Sequence, residues 1–520
     1  MSRPISFGKI EVNLVSAMEE TRVVPEPETP FRILILGDFS GRANRNIFDI
    51  GDLADRSPLL VDRDNLDEVM ARLGVEIHLS IVGNDNPPAF IRFAELEDFH
   101  PDRIFERVDV FQALRDIRKK LDDPRTFASA AKEVRSWTDT APESSESPSE
   151  QRTSQPDISG LTTGSLLDQM LEQAESRPPE TRALLDSSGW SAFLQRIVKP
   201  HLAPAEDPQQ AELVASVDAA VANLMRTILH YPDFQSVEAA WRAVHFLVSR
   251  LETDAELKLY LIDISKAELN ADLCEAEDLR STGIYRLLAG QTVGAPGAEP
   301  WAVLAGNYTF DQTREDAELL GRMAKIAKAA GAPFISAAST HLLGCESLAE
   351  TPDPDDWHRK PDTTEDGLAW EELSRIPEAS YLGLALPRFL LRLPYGANID
   401  PIEQFDFEEM PLIPDHNYYL WGNPCFACLY LLAQAFTHHG WNLRPGVIQD
   451  IEGLPLHIYK EHGESKVKPC AEGVFTERAA EIILDKGLMP LLCFLNQDII
   501  RLARFQSIAD PLTSLAGRWS

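Results

Sequence analysis

His230–Val248 reads HYPDFQSVEAAWRAVHFLV, and its spacing organises the text around it. Val237, Trp241, Val244 and Val248 recur at steps of three and four residues, which predicts a helix with one apolar face. Pro232-Asp233 breaks the preceding segment and restarts the chain, with Asp233 suited to cap the new helix. A second helical stretch lies upstream at Ala211–Leu229. Downstream, short apolar runs at Leu257–Ile264, Trp301–Gly306 and Phe334–Ala338 read as strands with helices between them. This alternation predicts an α/β domain with at least partly parallel strand pairing. Trp421-Gly-Asn-Pro424 opens another helix, with Asn423 at the cap and Pro424 at the first helical position.

Toward the amino terminus, Ile10, Val12 and Leu14 alternate with polar residues, the period of a half-buried strand. Phe31–Leu36 (FRILIL), Val75–Val82 and Ala89–Phe93 are further strand candidates. After Pro101 the pattern turns helical, with Ile104, Val108, Phe111 and Leu114 on one face, and continues to about Trp137. From Thr138 to Gly160 the text is crowded with Ser, Pro and Glu and lacks aromatics. Such a segment buries too little apolar area to offset the entropy of ordering it. The expectation is a mixed α/β (α+β) fold: a small strand-plus-helix domain over 1–137, a flexible linker over 138–160, and a larger α/β domain over 161–520.

At 520 residues the chain exceeds a single hydrophobic core. Its formal net charge of −33, with no Lys/Arg-rich block, disfavours nucleic acid as a partner. No run approaches the ~18 consecutive apolar residues of a membrane span, and MSRPISFGKIEVNLV lacks a secretory apolar core. Six scattered cysteines form no disulfide pattern, which fits a reducing cytoplasm.

Catalytic patterns fall short. Gly37-Asp-Phe-Ser40 resembles the nucleophile block of SGNH-type esterases, but Ser40 stands one residue late. Gly83-Asn-Asp-Asn86 and Asp98-Phe-His100 miss the accompanying spacings, so no triad assembles. Cys425-Phe-Ala-Cys428 sits on the first turns of a helix, about 15 Å from His438 and His439, too far to share a metal. Neither GxxxxGK[ST] nor GxGxxG occurs. No catalytic, cofactor or metal residue is therefore assigned. Arg388 and Arg392, four apart in an apolar run, either meet local carboxylates or hold those of a neighbouring subunit.

Several of these segments resemble the sheath subunits of bacterial type VI secretion systems. Pro30–Gly41 and Phe93–Ile104 look like the small subunit (TssB/VipA/ImpB). Ser165–Leu171, His230–Val248, Gly306–Phe310, Ala332–Ile335, Leu386–Gly396, Trp421–Pro424 and Gly453–Pro455 look like the large one (TssC/VipB/ImpC). The resemblance implies a fusion of the two: a non-enzymatic cytoplasmic protein that joins other sheath subunits around an inner, Hcp-like tube on a baseplate and contracts. It further implies that Ile10, Val12 and Leu14 lie on a strand given to a neighbour. Leu166, Leu167, Met170 and Leu171 would form the face gripped by a ClpV-type AAA+ ATPase. Family large subunits continue beyond the text matching Phe505–Pro511, whereas this sequence stops at Ser520. That difference admits an accessory or capping paralogue as the alternative, with an SGNH-like esterase a remote third.

Overall fold

Phe31–Gly37, FRILILG, is strand β1, and Phe31, Ile33, Leu34, Ile35 and Leu36 are all fully buried. The computed structural model describes residues 5–10, 25, 26, 28–51, 53–79, 89–139, 198, 210–274, 276–290, 292, 299–357 and 364–519. The amino-terminal part adds β2 (Leu59–Val61), β3 (Val75–Leu79) and β4 (Ala89–Phe93). Beyond residue 210 come β5 (Leu257–Asp263), β6 (Val303–Phe310), β7 (Phe334–Ala338), β8 (Leu382–Leu386), β9 (Phe389–Leu390) and β10 (Trp421–Gly422). The remaining strands are β11 (Asp450–Ile451), β12 (His457–Glu461), β13 (Glu464–Lys468), β14 (Met489–Cys493) and β15 (Ile500–Leu502).

Nine of these form one sheet in the order β11-β15-β14-β8-β7-β6-β1-β5-β2. The six strands from β14 to β5 run parallel; β2 and β15 pair antiparallel at the two ends, and β11 in turn pairs antiparallel with β15. β1 is internal: Leu34 stands in register with Tyr260 on one side and Leu304 on the other. An uninterrupted apolar run such as FRILILG suits this place, because helices cover both faces of a parallel sheet. Leu34 and Leu36 join the cluster that holds Leu319, Leu320 and Met323 of the helix Arg314–Ala330. On the opposite pleat Phe31 stacks on Phe436 of the helix Pro424–His439, with ring centroids 4.7 Å apart.

The chain forms two compact units, Met1–Glu106 with Met225–Ser520, and Arg107–Leu224. Residues 31–61 thus enter the same sheet as residues 257–502, on the far side of the expected linker. In the second unit, Arg118 of the helix Asp109–Asp122 grips Asp218, Nε to Oδ1 at 2.6 Å and Nη2 to Oδ2 at 3.3 Å. Gln210 Nε2 donates to the Leu121 carbonyl at 2.7 Å. This unit too draws on both sides of the expected linker.

Several local expectations shift. The helical text after Pro101 divides into Pro101–Arg107, Asp109–Asp122 and Phe127–Asp139, with Val108 extended between the first two. Asp233 does not cap the helix Pro232–Arg250. Pro232, pre-set for helical φ and lacking an N–H, takes the first position and Tyr231 the cap, while Asp233 accepts from Asn44 Nδ2 at 2.7 Å. The strand expected at Trp301–Gly306 runs instead from Val303 to Phe310. A bulge against β7 extends it, with Ser336 Oγ 2.8 Å from both the Gly306 and Tyr308 carbonyls. Gly306 is required there, since a Cβ would stand 2.6 Å from Phe334 Cζ. Leu386–Gly396 ends β8 and forms β9. Of the Val75–Val82 candidate, Val75–Leu79 is strand and the rest lies outside the described residues.

Candidate functional site

Two charged networks occupy the first unit. One lies at the carboxyl ends of β1 and β5. Asp263 Oδ1 accepts the N–H groups of Phe39 at 2.8 Å and Ser40 at 3.0 Å, and its Oδ2 accepts Ser40 Oγ at 2.7 Å. Arg45 Nη2 donates to the same Ser40 oxygen at 2.9 Å, so this almost wholly buried hydroxyl is held from two sides. Glu268, fully buried, takes Arg42 bidentately at 2.8 and 2.6 Å and Arg56 at 2.9 Å. Burial alone would raise Glu268, yet the two arginines hold it at about 2. Asp263 goes the other way: burial raises it more than the Ser40 hydrogen bonds lower it. Carboxyl ends of parallel strands are where open α/β sheets commonly hold ligands. Here the chain's own arginines and carboxylates interlock at that end.

The second network joins the helix Pro232–Arg250 to the segment after β9. Arg392 Nε and Nη2 donate to Glu238 at 2.8 and 3.3 Å, while Nη1 and Nη2 donate to Glu409 at 2.8 and 3.1 Å. Arg242 Nε donates to Glu238 at 2.6 Å and its Nη2 to the Tyr395 hydroxyl at 2.9 Å. Tyr395 N–H caps Glu409 at 2.8 Å, and His230 Nε2 lies 3.3 Å from the same carboxylate. Burial opposes charge throughout. It is overcome at Glu409, held at about 2 by the Arg392 charge and by hydrogen bonds from His230 and Arg392. At Arg392, Glu238 and Glu409 outweigh it and raise the guanidinium. At Tyr395 burial wins, pushing the phenol up to about 12.

Arg388 is the more open of the two sequence-predicted arginines. It grips Glu472, Nη2 to Oε1 at 2.6 Å, with half its side chain exposed. Arg392 is buried, and both its carboxylates belong to this chain. Ile10 packs at the edge of the core cluster, whereas Val12, Leu14, Leu166, Leu167, Met170 and Leu171 lie outside the described residues. Cys425 and Cys428 are fully buried on the Asn423-capped helix, and burial pushes Cys428 up to about 12. Among the described residues no three His, Cys, Asp or Glu side chains gather as metal ligands would, and no helix is long and apolar enough to cross a membrane.

Sequence reading overlooked Glu238, Arg242, Glu268 and Asp263. For the first two a signal existed: Glu238 and Arg242 stand four apart beside Trp241, inside the apolar helix Pro232–Arg250. Glu268 carries no comparable local mark.

Fold and networks together describe an α/β body whose buried charges bind its own segments to one another. Residues 211–509, more than half of the chain, match the family described as EvpB/VC_A0108, tail sheath N-terminal domain (VipB). The chain belongs to that family. Residues 9–147 match a second, described as type VI secretion system, VipA, VC_A0107 or Hcp2. A curated relative, type VI secretion system sheath protein TssC1 of Pseudomonas aeruginosa strain PAO1, is 37% identical over 305 residues, 58% of this chain. The match spans 61% of that relative's length. Small- and large-subunit families thus occur in one polypeptide, consistent with a fusion of the two.

Proposed function

We propose that the chain is a structural subunit of a contractile type VI secretion sheath, acting in the cytoplasm and transforming no substrate. The observation that carries this is the tail sheath match over 211–509 in a body whose buried ionic groups are committed to internal packing. It assembles with copies or kin around an Hcp-like inner tube on a baseplate. Movement draws on packing differences between two lattice states, with no bound nucleotide or other cofactor.

Residues 1–137 act as the small sheath part, 138–160 as the linker and 161–520 as the large part. Ile10, Val12 and Leu14 lie on the strand shared with a neighbour, whose main-chain hydrogen bonds supply the adhesion. Leu166, Leu167, Met170 and Leu171 form the face a ClpV-type ATPase grips after contraction. Arg388, half exposed, is the arginine able to reach an adjoining subunit.

Negative-stain microscopy of the purified chain, alone and mixed with tube and baseplate components, should show tubes. Their absence in every mixture rules the sheath role out. ClpV binding that survives Leu167→Asp together with Leu171→Asp removes the assigned grip.

A further inference from the structure

The amino-terminal residues 5–10 are held by a set of contacts that neither charged network uses. Ile5, Phe7 and Ile10 pack against the core cluster that includes Leu279, Leu320 and Met323. Phe7 lies over Gly321, inside the helix Arg314–Ala330, where a Cβ would fall within its ring, 2.6 Å from Cε1 and 2.8 Å from Cγ. A glycine in a helix interior costs stability, so this one has a packing reason. Main-chain bonds add to the knob. Lys9 N–H donates to the Glu277 carbonyl at 2.9 Å, and Leu279 N–H donates to the Lys9 carbonyl at 3.0 Å, a parallel bridge. Lys325 Nζ donates to the Gly8 carbonyl at 2.6 Å. Gly8 itself has φ +67°, and a Cβ on it would meet Leu279 Cδ2 at 3.1 Å. Arg322 braces the groove wall by donating to the Leu273 and Ala276 carbonyls, both at 2.7 Å.

We propose that residues 5–10 form a docking peptide whose receptor is the groove beside Gly321, and that this anchor fixes where the following strand leaves the body. The second half rests on reading Ile10, Val12 and Leu14 as a shared strand. An aromatic knob, a glycine able to turn left-handed and main-chain pairing are the ingredients of strand-type peptide recognition. A strand that starts from a fixed point costs less to order against a neighbour than one on a free tail. Any pull on it bears on the two elements that hold residues 5–10, the helix Arg314–Ala330 and the segment at Glu277–Leu279.

Amide exchange on the full chain tests the docking. Segments covering residues 5–10 and 277–279 should exchange slowly. Phe7→Ala and Gly321→Val should each speed exchange there by about tenfold or more, with the amides of β1 and β6 unchanged. Phe7→Ala changes only the peptide, so it decides the matter if Gly321→Val fails to fold. Exchange unaltered by Phe7→Ala overturns the docking. Filament yield is scored in parallel. Docking lost in Phe7→Ala while filaments form at normal yield overturns the anchoring role, and a matching loss of filaments upholds it. Val12→Asp probes the underlying strand: it should stop assembly and leave exchange at residues 5–10 slow. Normal filaments from Val12→Asp discard the strand and with it the anchoring role, while exchange alone still decides the docking.

Discussion

Arg392 meets Glu409 through two parallel hydrogen bonds, Nη1 to Oε2 at 2.8 Å and Nη2 to Oε1 at 3.1 Å, with both side chains buried. Removing the cation leaves Glu238 and Glu409 buried without their main partner. Arg392→Ala should therefore cost about 3–5 kcal/mol, the usual penalty for breaking a buried pair from one side. Denaturant midpoints measure it, and a loss under about 1 kcal/mol, typical of exposed pairs, contradicts the network.

Acid should undo the same contacts. Glu409 and Glu268 are held at about 2 in the folded chain against an ordinary 4.5, and Glu472 is held at about 2 chiefly by His416 and Arg388 against its own burial. A depressed carboxylate stabilises the fold above its unfolded value and loses that contribution as pH falls toward its folded one. Unfolding midpoints should thus drop steeply between about pH 4.5 and 2, with Glu409 alone accounting for on the order of 3 kcal/mol. Asp263, raised by burial, has the opposite sign and offsets part of the loss. A midpoint that stays flat from pH 6 to 3 contradicts these assignments.

Cutting the chain between its two family matches should not release the pieces. Residues 1–150 and 151–520, made together, are expected to purify as one complex. β1 bonds to β5 on one side and β6 on the other, and its five buried side chains each contribute roughly 1.5–3 kcal/mol. Two species resolved by gel filtration in physiological salt contradict the shared sheet.

Trp241 Nε1 donates to the Phe39 carbonyl at 2.8 Å while the rings meet edge-on, 5.7 Å between centroids. Trp241→Phe keeps most of the packing and leaves that carbonyl short of a donor, a cost of about 1–3 kcal/mol. Trp241→Ala adds a cavity and should cost about 3–5 kcal/mol. Equal losses in the two variants argue against the hydrogen bond.

Thiol reagents should discriminate among the cysteines. Cys274 is partly exposed, whereas Cys345, Cys425, Cys428, Cys470 and Cys493 are buried. The thiolate is the reactive form and burial raises all of these thiols, Cys274 included, so exposure decides and Cys274 should label first. Rapid native labelling at Cys428 contradicts its placement.

The helix beginning at Pro424 was legible because its signal is local: Asn423 caps, Pro424 presets φ and apolar residues follow at once. The same kind of signal misplaced Asp233, since a preceding proline competes for the helix start and Asn44, far away in sequence, claims the carboxylate. Arg388 and Arg392 stood out in the text as charges in an apolar run. Whether local or foreign carboxylates answer them depends on Glu238, 154 residues upstream of Arg392, and on Glu472, 84 residues beyond Arg388.

Periodicity and turn residues suffice to place β1, β7 and the apolar helices, because hydrogen bonds and side-chain spacing within an element are short-range. Order among strands is another matter. FRILILG is apolar on both faces and would suit any interior position of a parallel sheet. Its seat between Leu257–Asp263 and Val303–Phe310, together with the charge networks that close around Arg392 and Glu268, came from long-range packing. Burying a charge is tolerable only where distant segments supply its partners, and those partners meet only in the folded chain.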